Sequence, residues 1–350
     1  MFGNGRKYQE LERELRINAG RFGTFKTFDL CQQLDKARQA GLSLEEFKEF
    51  ATGHIGVFNG FQRTEYNTLV ARSRTAKQWE RFQEEKYLYP NIEWLRTASA
   101  IPRPEHLAYI GLILPQDDPF WTNNQPGNEW NCKCDWRTTD KAATNRPKED
   151  EIYQASPGLE GNPAQSGELI TEKHPYFKRN RNAPGWVEDK AILQLPDDVA
   201  FVEKITANGN KYLEHLLVGR ELEAANNRAI TQLLADNGYK DIRLLPIIRE
   251  TEQGLRARYY GENFLSKTKC PDASINGIMV EYKQTNRANL SLSIGKAAKK
   301  SSIAVIRTTE YISDVHISDV VARQWSIDNR KSLTEIIVIN NRQIKSFKRP

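Results

Sequence analysis

The chain has 350 residues, 39% hydrophobic and 27% charged, a balance that excludes a disordered polymer and supplies apolar material for two or three domains. Four cysteines do not make a disulfide framework, no apolar run is long enough to cross a bilayer, and the charged start "MFGNGRKYQELEREL" lacks the apolar stretch of a secretion signal, so a chain of the reducing cytosol with no membrane partner is expected. The net charge of +6 is uneven: residues 201–350 hold 24 Lys and Arg against 16 Asp and Glu, which points to a polyanionic partner for that part.

Residues 5–50 carry apolar side chains at helical spacing, and Ser43 with Glu46 forms a capping-box pattern. Residues 58–86 predict a long amphipathic helix. The texture then changes: "YLYPNIEWLRTASAIPRPEHLAYIGLILPQDDPFWTNNQPGNEWNCKCDWRTT" is rich in Pro, Trp and Asn and reads as short strands joined by ordered loops. His106, Cys132 and Cys134 within it are a candidate zinc set, for which His174 or Asp135 is a candidate fourth ligand. The plainer alternative is a packed histidine and two packed thiols.

This block resembles the Mu F-like minor head proteins of tailed phages. The matching text is "EWLRTASAIPRPEH", "LPQDDPFW" and "NEWNCKC", in which Arg103, His106, Asp117, Asp118, Pro119, Phe120, Trp121, Cys132 and Cys134 fill the family pattern. The resemblance covers roughly residues 40–180, and the helical lead-in is short for the family. It implies an α+β head-morphogenesis module, a helical lead-in plus a small, mixed, loop-rich part, over residues 1–140. Phage portal and capsid proteins are its implied partners, and the interior of the phage head its implied location.

Residues 141–200 are polar and rich in Gly, Pro and Asn, and read as a loop or linker. A second domain is expected over 201–350. In order it carries a helix ending near Asn237-Gly238, a strand "KDIRLLPII", a hairpin, a Lys-rich helix around "SIGKAAKKS", a strand "SIAVIRT", a helix "ISDVVARQWSID" and a strand "LTEIIVIN". That order predicts an α/β domain with a mixed sheet flanked by helices.

Within the hairpin, Asn276-Gly277 between Ile275 and Ile278 is a two-residue turn signal. It sets Ile275 opposite Ile278, Ala273 opposite Val280, and Asp272 opposite Glu281. By alternation, Ala273, Ile275, Ile278 and Val280 face a core, while Asp272, Ser274, Glu281 and Lys283 face the other way. Two carboxylates with Cβ atoms about 5 Å apart repel. A raised pKa, Lys283 or a bound Mg²⁺-type cation offsets that repulsion. The alternative is a solvated face on which Glu281 and Lys283 pair weakly.

Pro271-Asp272 followed by Glu281-Tyr282-Lys283 resembles the PD-(D/E)xK nuclease motif, and the domain is similar to the C-terminal nuclease toxins of contact-dependent inhibition and polymorphic toxin systems. The resemblance covers roughly residues 205–340. It implies a restriction-endonuclease-like fold, a divalent cation held by Asp272 and Glu281, Lys283 as catalytic lysine, and an upstream helix acid, either Glu221 or Glu223. Lys296, Lys299 and Lys300 on the next helix fit phosphate contacts. Arg256, Arg258, Lys267 and Lys269 are candidates for a substrate groove, with Tyr259 and Tyr260 for stacking. His215 and His316 lie outside the motif, which favours metal-assisted hydrolysis.

The combination implies a phage or prophage head protein carrying a metal-dependent nuclease, with RNA or tRNA weakly favoured as substrate. An immunity protein is a candidate partner. The alternatives are a structural head protein whose basic half binds packaged DNA, and a metal-independent RNase of the barnase–colicin type.

Overall fold

A computed structural model describes residues 4–219, 223–262, 264, 266 and 268–350, and the chain divides into two compact units, Met1–Leu195 and Pro196–Pro350.

The first unit opens with three helices, α1 (Asn4–Gln39), α2 (Leu44–Gly60) and α3 (Gln62–Glu85). The capping box forms as the sequence predicts: Ser43 Oγ accepts the Glu46 N–H, and the Glu46 carboxylate accepts the Ser43 N–H at 2.8 Å. The single helix expected over 58–86 is interrupted at Phe61, so Phe58–Gly60 finish α2. None of the residues of α2 is buried, and it exposes Leu44, Ile55 and Val57.

After α3 come three short strands, β1 (Asn91–Leu95), β2 (Ile113–Pro115) and β3 (Asp135–Thr139), in the order β2-β1-β3 with antiparallel pairing. So small a sheet holds because aromatic side chains supply its core. Trp94, Trp121, Trp136, Phe82 and Phe120 are all at most 2% exposed and pack with Trp79 and Tyr109. Each such side chain contributes about 1.5–3 kcal/mol by leaving water. Phe120 and Trp121 of the "DDPFW" text are therefore core, positioned by Asp118 Oδ1, which accepts the Phe120 N–H at 2.8 Å.

Residues 141–195 are not the solvated linker that their composition suggests. Leu159, Ile170, Phe177 and Val187 are buried against Phe22 and Phe25 of α1, and the helix Gly185–Leu193 packs along α1. Polar residues dominate this stretch, but its apolar ones are drawn into the cores of the first unit, Leu159, Ile170, Phe177 and Val187 into one, Leu169 into a second.

The second unit is built on an eight-stranded mixed sheet. Its strands are β4 (Phe201–Ile205), β5 (Lys211–His215), β6 (Ile242–Leu244), β7 (Ala273–Ile275), β8 (Ile278–Thr285), β9 (Ile303–Thr308), β10 (Glu335–Asn340) and β11 (Gln343–Lys348), hydrogen-bonded in that order from one edge to the other. β8–β9, β9–β10 and β5–β6 are parallel and the other pairs antiparallel. The central strands are apolar on both faces because helices cover both. Ile303, Val305, Ile337 and Ile339 pack with Ile230 and Leu234 of the helix Ala224–Asp236. Ala304, Ile306, Ile336 and Val338 pack with Leu290 and Ile294 of the helix Leu290–Ala297 and with Ile317 and Val321 of the helix Asp314–Trp325.

Several elements of the second unit were not expected. The β4–β5 hairpin turns at Asn208-Gly209, a turn signal that the sequence does carry. β11 alternates so weakly, with no residue buried, that its pattern barely registers. The helix Gln253–Tyr260 lies in text from which only candidate groove and stacking residues were read.

The first unit depends on Arg72 of α3, which is fully buried. Its guanidinium donates to Asn128 Oδ1 at 2.8 Å and to the carbonyls of Leu159, Glu160 and Gly161. Arg72→Leu strands these acceptors without donors, so it should destabilise the first unit by about 3 kcal/mol, read as a lowered denaturation midpoint. An unchanged midpoint would show that these bonds are replaced by water at no cost.

Candidate functional site

The hairpin of the second unit has the predicted register. Ile275 pairs with Ile278 and Ala273 with Val280, across a turn whose two residues both have positive φ, Asn276 at 50° and Gly277 at 77°. Ala273, Ile275 and Val280 are buried as expected, but Ile278 at the tip is 47% exposed because the covering helix does not reach it. The other face is not solvated either: Ser274 is 3% exposed and Glu281 is fully buried.

β7 ends at Ala273, and Asp272 lies just beyond it. Its N–H still bonds the Val280 carbonyl, while its own carbonyl accepts the Leu245 N–H from beyond β6. The side chain takes over as partner of β8: Asp272 Oδ2 accepts the Tyr282 N–H at 2.7 Å, and Oδ1 accepts from the Asn227 amide at 3.1 Å. The Pro-Asp pair thus ends one strand and turns a carboxylate toward the next.

Glu281 pairs with Ala304 of β9, on the face covered by the helix Leu290–Ala297. Its Oε1 receives two ammoniums, Lys283 at 2.5 Å and Lys300. Its Oε2 is buried without a partner among the described residues. Burial first, and then the charge of Glu281, push the Asp272 carboxyl up to about 7 against the opposing pull of the Tyr282 N–H, Lys283 and Lys300. Burial works against the Lys283 charge, but Glu281, Asp272 and Glu223 together hold its ammonium above the ordinary lysine range. The orphaned Glu281 oxygen beside the Asp272 carboxylate is a hard oxygen donor set of the kind Mg²⁺ takes, so these residues fit such an ion.

Other candidates fall differently. Glu223 caps the helix Ala224–Asp236 and is exposed, yet its charge acts on Lys283; Glu221 and Lys267 lie outside the described residues. Lys300 does not belong to a solvated lysine face, since the helix ends at Ala297 and Lys300 returns to Glu281. Lys296, Lys299 and Lys269 are exposed.

Arg256 is not a groove residue. It is 4% exposed, and its guanidinium donates to the carbonyls of Ile248, Ser266 and Lys269 and to the Cys270 sulfur. The helix Gln253–Tyr260 turns Arg256, Tyr259 and Tyr260 inward at i, i+3 and i+4. Neither tyrosine is free to stack on a base: Tyr260 Oη donates to the Pro246 carbonyl, and Tyr259 Oη meets His215 Nε2 at 3.1 Å. Arg258 lies over the Tyr259 ring and pairs with Asp197. Burial pushes His215 down to about 4, so it is a neutral core histidine. Asn227 was missed by sequence reasoning; it lies four residues beyond Glu223, one helical turn, which is the signal that would have found it.

In the first unit, one group of three metal-ligating side chains lies together among the described residues, His106, Cys132 and Cys134, all buried. His106 Nδ1 is 3.6 Å from the Cys132 sulfur and 3.4 Å from that of Cys134. A hydrogen bond with Cys134, and then the neighbouring His106, pull the Cys132 thiol down to about 4 against burial, while the Cys132 sulfur and burial push the Cys134 thiol up. Neither proposed fourth ligand joins them. His174 packs with Phe22 and Tyr176 and accepts the Tyr176 N–H, and Asp135 binds Gln78 and the Trp136 N–H.

Residues 4–137 match the family described as Phage Mu protein F like protein. The chain is similar to "Putative capsid assembly protein F" of Escherichia phage Mu, 29% identical over 183 residues, 49% of this chain and 40% of that protein. It is likewise similar to the Mu-like prophage FluMu F protein of Haemophilus influenzae, 26% identical over 178 residues, 47% of this chain and 40% of that one. The match thus spans less than half the length of either relative. No solved structure matches the chain. The family match includes His106, Cys132 and Cys134 and ends before the second unit begins.

The raised Asp272 carboxyl sets a pH dependence. Its folded pKa lies near 7 and its unfolded one near the ordinary value of about 3.9. The folded chain therefore keeps a proton that the unfolded chain has already released, and stability falls as pH rises from about 4 through 7. Asp272→Asn should flatten that fall in urea midpoints of the second unit measured at pH 5 and pH 8. An equally steep fall in the variant would place the titration elsewhere.

Proposed function

We propose that this chain is a Mu F-like phage head protein whose second unit is a metal-dependent nuclease of restriction-endonuclease-like fold. The head reading rests on the family match over residues 4–137 and on the relative in phage Mu that is named for capsid assembly. Portal and capsid proteins are then its partners and the phage head its location. The apolar, unburied α2 is a surface that suits such a protein partner.

One observation carries the nuclease reading: a fully buried glutamate in a central strand, with one oxygen on two lysines and the other without a partner among the described residues, beside a carboxyl raised to about 7. A buried charge this costly is favoured where it does chemistry. Asp272 and Glu281 would hold the cation, which supplies Lewis-acid polarisation of a phosphate oxygen. Asn227 and the Tyr282 N–H orient Asp272. Lys300 and Lys283 both neutralise Glu281, and the Lys283 ammonium would also stabilise charge developing on the phosphate. The exposed Lys296, Lys299 and Lys269 and the excess positive charge of residues 201–350 suit a nucleic-acid substrate, with RNA or tRNA weakly favoured by the toxin resemblance. An active nuclease of this kind would need an immunity partner in the cell that makes it.

The full chain, incubated with plasmid DNA and with tRNA, should cleave one of them in Mg²⁺ and neither in EDTA. Glu281→Gln and Lys283→Ala should each lower the rate about 100-fold or more while the chain stays folded. No cleavage under any condition would leave a head protein whose basic half only binds packaged DNA. Cleavage that survives EDTA would indicate a metal-independent RNase.

A further inference from the structure

We propose that His106, Cys132 and Cys134 bind one zinc-class transition-metal ion, which staples the short helix Pro104–Leu107 to the turn ahead of β3. The proposal is independent of the nuclease reading, since all three residues lie in the first unit.

Distance is the first argument. Zinc bonds to sulfur at about 2.3 Å and to nitrogen at about 2.0–2.1 Å, so the nitrogen–sulfur edge of a tetrahedral site is about 3.5–3.6 Å. The two observed separations from His106 Nδ1 are 3.4 and 3.6 Å, and the three ligand atoms all lie within 4.8 Å of one another. One ring nitrogen offers a single proton or a single lone pair, so it can hydrogen-bond only one of the two sulfurs that converge on it. A metal ion bonds to all three atoms at once.

The surroundings agree. Two thiolates with one imidazole, and no carboxylate among the described members of the group, make a soft donor set that selects zinc over magnesium or calcium. The Cys134 N–H points to the Cys132 sulfur at 3.5 Å, an amide bond suited to a metal-bound thiolate. The Trp94 indole nitrogen is buried with no hydrogen-bond partner among the described residues.

The role follows from the sequence separation. His106 and Cys132 are 26 residues apart, and the segment between them carries Phe120 and Trp121, which fill the core of the three-stranded sheet. An ion joining its ends closes that segment over its own aromatic residues and adds stability that so small a sheet lacks. Among the described residues no fourth His, Cys, Asp or Glu joins the set.

The full-length chain, purified without chelator, should contain about one zinc per molecule by mass spectrometry of the elements. His106→Ala, Cys132→Ser and Cys134→Ser should each retain less than about a tenth of that. Because such variants can fail to fold, two measurements use the unaltered chain. Cobalt exchanged for zinc should give a thiolate-to-metal charge-transfer band and the strong visible bands of a tetrahedral site. A strong chelator should lower the Tm of the first unit by roughly 5 °C or more, restored by zinc and not by magnesium. A metal-free chain with no charge-transfer band in cobalt overturns the proposal, as does a Cys132–Cys134 disulfide in the freshly purified chain or full zinc content in His106→Ala.

Discussion

Glu281 sits in a strand buried on both faces, with no exposed surface of its own, and the second unit is arranged around keeping its charge there. An isolated carboxylate in such a place is strongly disfavoured. Two lysines reach it, one two residues along the same strand and one beyond the end of the helix that covers that face. That helix has to stop at Ala297 for Lys300 to turn back. Asp272 is brought in from the neighbouring strand and keeps its proton to about pH 7, because burial and Glu281 both oppose its ionisation. Position, pairing and protonation are thus linked in one cluster.

Positive charge near this cluster has two distinct uses. Arg256 is committed to three backbone carbonyls and the Cys270 sulfur and is a strut that fixes the stretch leading into Pro271. Arg258 is paired with Asp197, and Lys300 with Glu281. Lys296, Lys299 and Lys269 remain exposed. The basic character of residues 201–350 therefore overstates the surface offered to a polyanion, because part of it neutralises the interior.

In the first unit the same economy applies to polar residues. Arg72 satisfies three carbonyls of the segment 159–161, and this segment lies in text that reads as linker. Asp118 holds the turn that delivers Phe120 and Trp121 to the core. Phe120 and Trp121 of the quoted text thus fill the core of the small sheet, and His106, Cys132 and Cys134 gather, buried, beside it.

The sequence by itself determined whatever depends on local geometry. The Asn276-Gly277 turn set the hairpin register, Ser43 and Glu46 set a helix start, and Asn237-Gly238 set a helix end, because each rests on the backbone preferences of a few adjacent residues. It also named Asp272, Glu281, Lys283 and the His-Cys-Cys group, since their spacing is visible along the chain. Only the tertiary structure decided what surrounds them. That Glu281 is buried, that Lys300 returns to it, that Asn227 orients Asp272 and that Arg256 faces inward depend on which helix covers which face, and on the phase of that helix. Residues 141–195 were misjudged for the same reason: a few apolar side chains scattered in polar text show their common direction only when α1 is there to receive them. Burial and long-range pairing come from contacts between segments far apart in sequence, and no local pattern encodes them.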